Sequence, residues 1–232
     1  GSLLWSYQYG GSGYDAVYNL CKATDSSGRI IAAGITNSPN DYNITGNHGD
    51  YDALVLSIDE TSGILTEAKC FGGKKSDNFF SIQNTYDKGY ILSGSTVSQN
   101  GDVSYNADIT NGQLWVVKLN NSRTIDWERT YGGPEYESGY GAFEINNGGF
   151  FIAGDTYGNG GDVSGYHGVS QRDYWAVKLS LCFIPPVSAA TITTSGPACG
   201  SNVTLSIPGG AGYYYHWYKN NEEIIGATSP TY

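Results

Sequence analysis

The chain has 232 residues, enough for one large or two small domains, with 33 glycines, 20 tyrosines and only 15% charged residues. Its formal net charge of −10 argues against nucleic acid and anionic membrane as partners, and no apolar run approaches the ~18 residues of a membrane-spanning helix. Many glycines and aromatics with few charges indicate a turn-rich all-β protein.

In chain order, "LLWSYQYGG" (3–11) is a strand-like run closed by Gly-Gly. The same closure recurs as "FGG" ending at Gly73 and "YGG" ending at Gly133, in steps of 62 and 60. "AAGIT" ends at Thr36, "LSGST" at Thr96 and "IAGDT" at Thr156, in two steps of 60. "DALVLSI" (52–58), "QLWVVKL" (113–119) and "DYWAVKL" (173–179) repeat in steps of 61 and 60. Residues 3–179 therefore read as three copies of one unit of about 60 residues.

Each copy offers four strand-like runs; in the third they are "IDWERTYGG", "GYGAFEI", "GFFIAGDT" and "YWAVKL". The last run alternates. Leu54, Leu56 and Ile58 match Trp115, Val117 and Leu119, then Trp175, Val177 and Leu179, while Ser57, Lys118 and Lys178 lie between. That pattern predicts one buried face. Turns fall at "DSSG" (25–28), "DKG" (87–89) and "NNGG" (146–149), where Asp, Asn and Gly suit hairpins.

Four antiparallel strands per repeat predict β-propeller-type blades, at about 3–65, 66–125 and 126–182. The first copy opens with what would be a fourth strand, and the third stops after a third. Three blades are fewer than the ~4–8 of an ordinary ring, so these are expected to be part of a larger one. The absence of Met and of a visible signal peptide, with Gly1-Ser2 at the start, fits the same expectation of a fragment or processed form.

Cys21 and Cys70 fall in neighbouring predicted strands, which makes a disulfide between them an expectation to test. Sequence assigns no pairing to Cys182 and Cys199. Residues 183–190, with Pro185-Pro186, read as a linker. Residues 191–232 carry strand-like runs "NVTLSI" and "YYYHWYK", then "NNEEIIGATSPTY". This stretch resembles the immunoglobulin-like modules of bacterial surface proteins, with Trp217 in the place of the buried strand Trp. It is shorter than a whole sandwich and is expected to be truncated.

The motifs Trp5…YGG, AGIT, "HGDYDALVLSI", "GDVSGYHG" and "DYWAVKL" together resemble the propeller-type repeats of secreted and cell-surface proteins of Bacteroidetes, cargo-like for type IX secretion. The resemblance implies a non-catalytic extracellular adhesion, display or ligand-binding module. Its expected partner is a surface glycan or protein, with other blades or chains of the same protein as neighbours. The alternatives are a propeller-based carbohydrate-active enzyme completed by further blades, and a passive stalk or filament subunit.

Three acidic loops are the candidate sites: "NDYNITGNHGDYD" (40–52), "NGDVSYNADITNGQ" (100–113) and "GGDVSGYHGVSQRD" (160–173). Asp41, Asp102 and Asp162 recur in step, as do Asp52 and Asp173, with Gln113 replacing the acid in the second copy. Hard oxygens on Gly-bearing loops are what calcium requires; the competing reading is that these side chains cap turns. His48 and His167 recur beside them. Asp15, Asp77 and Glu137 follow each Gly-Gly at one equivalent place, which assigns them to blade structure rather than catalysis.

Overall fold

The computed structural model describes residues 1–145, 149–168 and 171–180 in full, and the backbone alone of 193–195, 204–206, 218–219 and 222–223. The described residues are all-β, with no helix. The chain divides into two units, Gly1–Leu179 and Ser180–Tyr232.

The first unit holds three antiparallel sheets. Sheet 1 is β1 (Asp15–Lys22), β2 (Arg29–Thr36), β3 (Asp52–Asp59) and β4 (Leu65–Phe71), hydrogen-bonded in that order. Sheet 2 repeats it with β5 (Asp77–Asn84), β6 (Tyr90–Thr96), β7 (Gln113–Leu119) and β8 (Ile125–Tyr131). Sheet 3 has β9 (Glu137–Glu144), β10 (Phe150–Thr156) and β11 (Asp173–Leu179). In the second unit, β12 (Thr193–Ser195) pairs with β13 (Thr204–Ser206), and β14 (Tyr218–Lys219) with β15 (Glu222–Glu223). The linker, Trp217, Cys182 and Cys199 lie outside the described residues.

The sheets stack face to face through two hydrophobic layers. Between sheets 1 and 2, Ile31, Ala33 and Val55 meet Phe79, Tyr90, Leu92, Trp115 and Val117. Trp115 is fully buried, stacks on Phe79 at 5.0 Å, and donates from Nε1 to Glu128 at 3.0 Å. Between sheets 2 and 3, Ile91, Leu114 and Val116 meet Phe150 and Ile152, with Trp127 and Trp175 at the margins.

This stacking corrects the expectation of one buried face. In β3 and β7 both faces are buried, including Ser57 and Lys118, because each sheet is covered on two sides. Buried Lys118 keeps its charge partnered by Asp87 at 2.7 Å. Only β11 alternates as predicted: Trp175, Val177 and Leu179 pack on sheet 2, while Tyr174 and Lys178 face outward. The alternating set always turns towards the preceding sheet. For sheet 1 that place is taken by residues 3–11, whose Trp5 and Tyr9 pack on Leu54, Leu56 and Ile58. Residues 3–11 join no sheet, unlike the fourth strand expected of them.

Cys21 and Cys70 are also corrected. β1 and β4 are the opposite edges of sheet 1, and the two thiols belong to different hydrophobic layers. Both are free, and burial pushes each up to about 12.

Candidate functional site

The Gly-Gly closure of each repeat is tied down by the acid that follows it. Asp77 is fully buried and accepts from the Gly73 amide at 2.7 Å, the Ser98 hydroxyl at 2.8 Å and the Thr96 hydroxyl. Asp15 does the same with Gly11 at 2.9 Å, Thr36 at 2.5 Å and Ser38 at 2.9 Å. Glu137 accepts from Gly133 at 2.9 Å and Thr156 at 2.8 Å; Gly158 replaces the serine, and the longer side chain reaches Gln113 Nε2 at 3.1 Å instead. Burial raises the carboxyls of Asp77 and Glu137 despite these bonds. The three acids thus join the first strand of a sheet to the end of its second.

The loop aspartates are placed as follows. Asp102 exchanges two bonds with Gly72: its amide donates to the Gly72 carbonyl at 2.9 Å and its Oδ2 accepts from the Gly72 amide at 3.0 Å. Asp162 and Gly132 repeat this at 2.9 and 3.1 Å. In the first repeat that exchange with Gly10 is made by Asn43, at 3.2 and 3.4 Å. Asp41 instead accepts from the Ser12 amide at 3.1 Å, as Asn100 does from Lys74 at 2.9 Å. So Asp41 is the counterpart of Asn100, two residues out of step with Asp102. In the third repeat Pro134 has no amide to give and Gly160 no side chain to receive it, so acceptor and donor are lost together.

Asp52 is fully buried and accepts through Oδ2 from the amide and Nδ1 of His48, at 2.9 and 2.6 Å. Asp173 accepts the His167 amide at 2.6 Å, with the exposed His167 ring 3.5 Å away. Asp173 and His167 line a shallow cavity of about 240 Å³ with Tyr166, Tyr174 and Trp175. Among the described residues, no three His, Cys, Asp or Glu side chains converge as a metal site.

A different cluster breaks the repeat by gaining groups. Each first strand carries a β-bulge: the register skips Tyr18 in β1, Phe80 in β5 and Tyr140 in β9. A bulge re-aims its extra side chain, and these three equivalent aromatics meet in a row. Tyr18 and Phe80 have centroids 5.0 Å apart, and so have Phe80 and Tyr140. Tyr18 and Tyr140 remain 45% and 44% exposed, so the row is a surface feature. Glycine opposite the bulge makes it possible. A Cβ on Gly34, Gly94 or Gly154 would lie 1.8, 1.9 or 2.0 Å from the carbonyl oxygen of Ala16, Asn78 or Ser138.

At the third repeat the row ends in a polar clamp. Arg172 donates to the hydroxyls of Tyr157 at 2.8 Å and Tyr140 at 2.9 Å, and to Asp155 at 2.8 Å. Its guanidinium lies over the Tyr157 and Tyr136 rings, 5.2 and 5.9 Å from their centroids. The bond to Tyr157 and the charge of Asp155 hold it protonated. Asp155 keeps Oδ1 buried without a hydrogen-bond donor among the described residues. In the second repeat the places of Arg172, Asp155, Tyr157 and Tyr136 are held by Gly112, Ser95, Val97 and Ser76. Gly112 makes room, since a Cβ there would sit 2.6 Å from the Tyr136 ring.

Sequence reasoning passed over this cluster because it followed residues that recur, whereas Arg172 and Asp155 do not. The aromatic at 18, 80 and 140, eight residues beyond each first Gly, was the available signal. The fold and site define an all-β repeat protein with an aromatic–arginine surface. No protein-family model matches the chain, and a comparison with curated proteins finds no match.

Proposed function

We propose that this chain is a non-catalytic, extracellular ligand-binding module whose stacked sheets belong to a propeller-type ring, with an immunoglobulin-like spacer after it, and that its ligand is a cell-surface glycan. The observation that carries this reading is the Arg172 clamp at the end of the Tyr18–Phe80–Tyr140 row. Aromatic rings cover the apolar faces of sugar rings, while guanidinium, carboxylate and phenol groups bond to hydroxyls. The clamp's side chains already hold one another, so ordering them on binding costs little. Equivalent acids in every repeat are committed to backbone and hydroxyl donors, which supports binding over bond cleavage. Calcium in the acidic loops would stiffen the same module.

Native electrophoresis of the chain through gels containing soluble β-glucan, xylan or mannan tests the reading. Retardation by at least one polymer is expected, and Tyr140→Ala and Phe80→Ala should lose it. No retardation by any of them, with no binding on an oligosaccharide array, would count against it. Release of new reducing ends by the wild-type chain would select the hydrolase or lyase alternative.

A further inference from the structure

Asp52 and Gln113 hold the same place in successive repeats, the first residue of the third strand. Asp77 and Glu137 likewise open the sheet that follows each. The backbones match: the Asp77 amide donates to the Tyr51 carbonyl at 2.7 Å, and the Glu137 amide to Gly112 at 2.8 Å. At the junction of sheets 2 and 3 the pair is closed by a donor. Gln113 Nε2 sits among three oxygens, 3.1 Å from Glu137 Oε2, 2.8 Å from the Gly133 carbonyl and 3.3 Å from that of Glu135.

At the junction of sheets 1 and 2 both side chains are one methylene shorter and both are acids. Two fully buried carboxyls therefore stand where an amide–carboxylate bridge stands in the next repeat. Asp52 turns Oδ2 to His48, and its Oδ1 is buried with no donor among the described residues. No Lys or Arg pairs with either acid among the described residues. An unbridged pair of buried like charges is costly, and the repeat supplies what would relieve it. In the repeat, Gly73 and Lys75 hold the places of Gly133 and Glu135, whose carbonyls accept from Gln113 Nε2.

We propose that this junction is a calcium site, in which the ion bridges Asp52 and Asp77 in the place that the Gln113 amide takes one repeat later. Calcium accepts carboxylate and backbone carbonyl oxygens together, and its two charges match the two acids. His48 orients Asp52 from outside the ion's shell. Of the aspartates on the acidic loops, this selects Asp52 and adds Asp77.

The test is the melting temperature of the chain in EGTA and in calcium chloride, with isothermal titration of the same ion. Saturating calcium should raise the wild-type midpoint by about 5 °C or more. Asp52→Gln with Asp77→Glu rebuilds the bridge of the next repeat and should melt at one temperature in both buffers. Asp52→Asn, which keeps the shape, should also lose the response. A wild-type midpoint unmoved by calcium with no titration heat would overturn the proposal, as would a full response in either variant. A midpoint that follows pH near 6 and ignores calcium would assign the gap to a proton shared by the two acids, and would overturn it too.

Discussion

Arg172 donates from Nη1 to the Tyr140 hydroxyl at 2.9 Å, tying the residue before β11 to the bulge of β9. The same nitrogen holds Asp155 at 2.8 Å while Nε holds Tyr157. Lysine carries the charge but cannot hold three partners in a planar fork. Arg172→Lys should weaken glycan retardation about tenfold, a loss of ~1–2 kcal/mol. The Arg172 side chain is half exposed, so the thermal midpoint should barely move. A large midpoint drop with unchanged retardation would make the clamp a structural tie alone.

The bulge that presents Tyr140 depends on Gly154. An added Cβ would meet the Ser138 carbonyl oxygen at 2.0 Å, and its three nearest neighbours are all backbone atoms. Gly154→Ala should therefore displace the bulge, cost ~2–4 kcal/mol in urea unfolding and reduce glycan retardation. Gly165→Ala is the control for loss of a glycine, since nothing crowds that position although its φ is +81°. It should cost only ~1 kcal/mol and leave binding unchanged.

Thr96 donates to buried Asp77, and its oxygen accepts from the Ser98 amide at 3.0 Å. Valine keeps the shape and removes both bonds. Thr96→Val should cost ~1–3 kcal/mol by urea unfolding, because a buried carboxylate oxygen and a buried amide are left without partners. A change under ~0.5 kcal/mol would show that the hub is not a stabilising element.

Asp52 sets a pH dependence in calcium-free buffer. Burial pushes its carboxyl up to about 6, against the lowering bonds from His48 and with a further upward push from Asp77. The unfolded chain releases that proton near the ordinary Asp value of about 4. Between pH 4 and 6 the folded form holds a proton that the unfolded form has lost, so this group makes stability fall as pH rises through that window and level off above it. Asp52→Asn should remove a fall on the order of 2–3 kcal/mol, read as the wild-type-minus-variant difference in unfolding free energy from pH 4 to 7. A flat difference would place the Asp52 carboxyl in its ordinary range.

The repeat, the strands of the three sheets and the structural duty of Asp15, Asp77 and Glu137 were legible in the sequence, because strand-like runs and glycine closures are local and recur every 60 residues or so; the run at 3–11 looks the same locally yet joins no sheet. The alternation pointed to one buried face in β3 and β7, and both faces are covered, since burial of Lys118 or Ser57 depends on a neighbouring sheet rather than on flanking residues. The counterpart of Asp41 also waited for the structure, because insertions within a loop shift spacing while hydrogen-bond partners stay in place. That Tyr18, Phe80 and Tyr140 form one row, and that Arg172 closes it, follows from how the sheets pack. A bulge re-aims a side chain by its register against a partner strand, and that register exists only once the strands have paired.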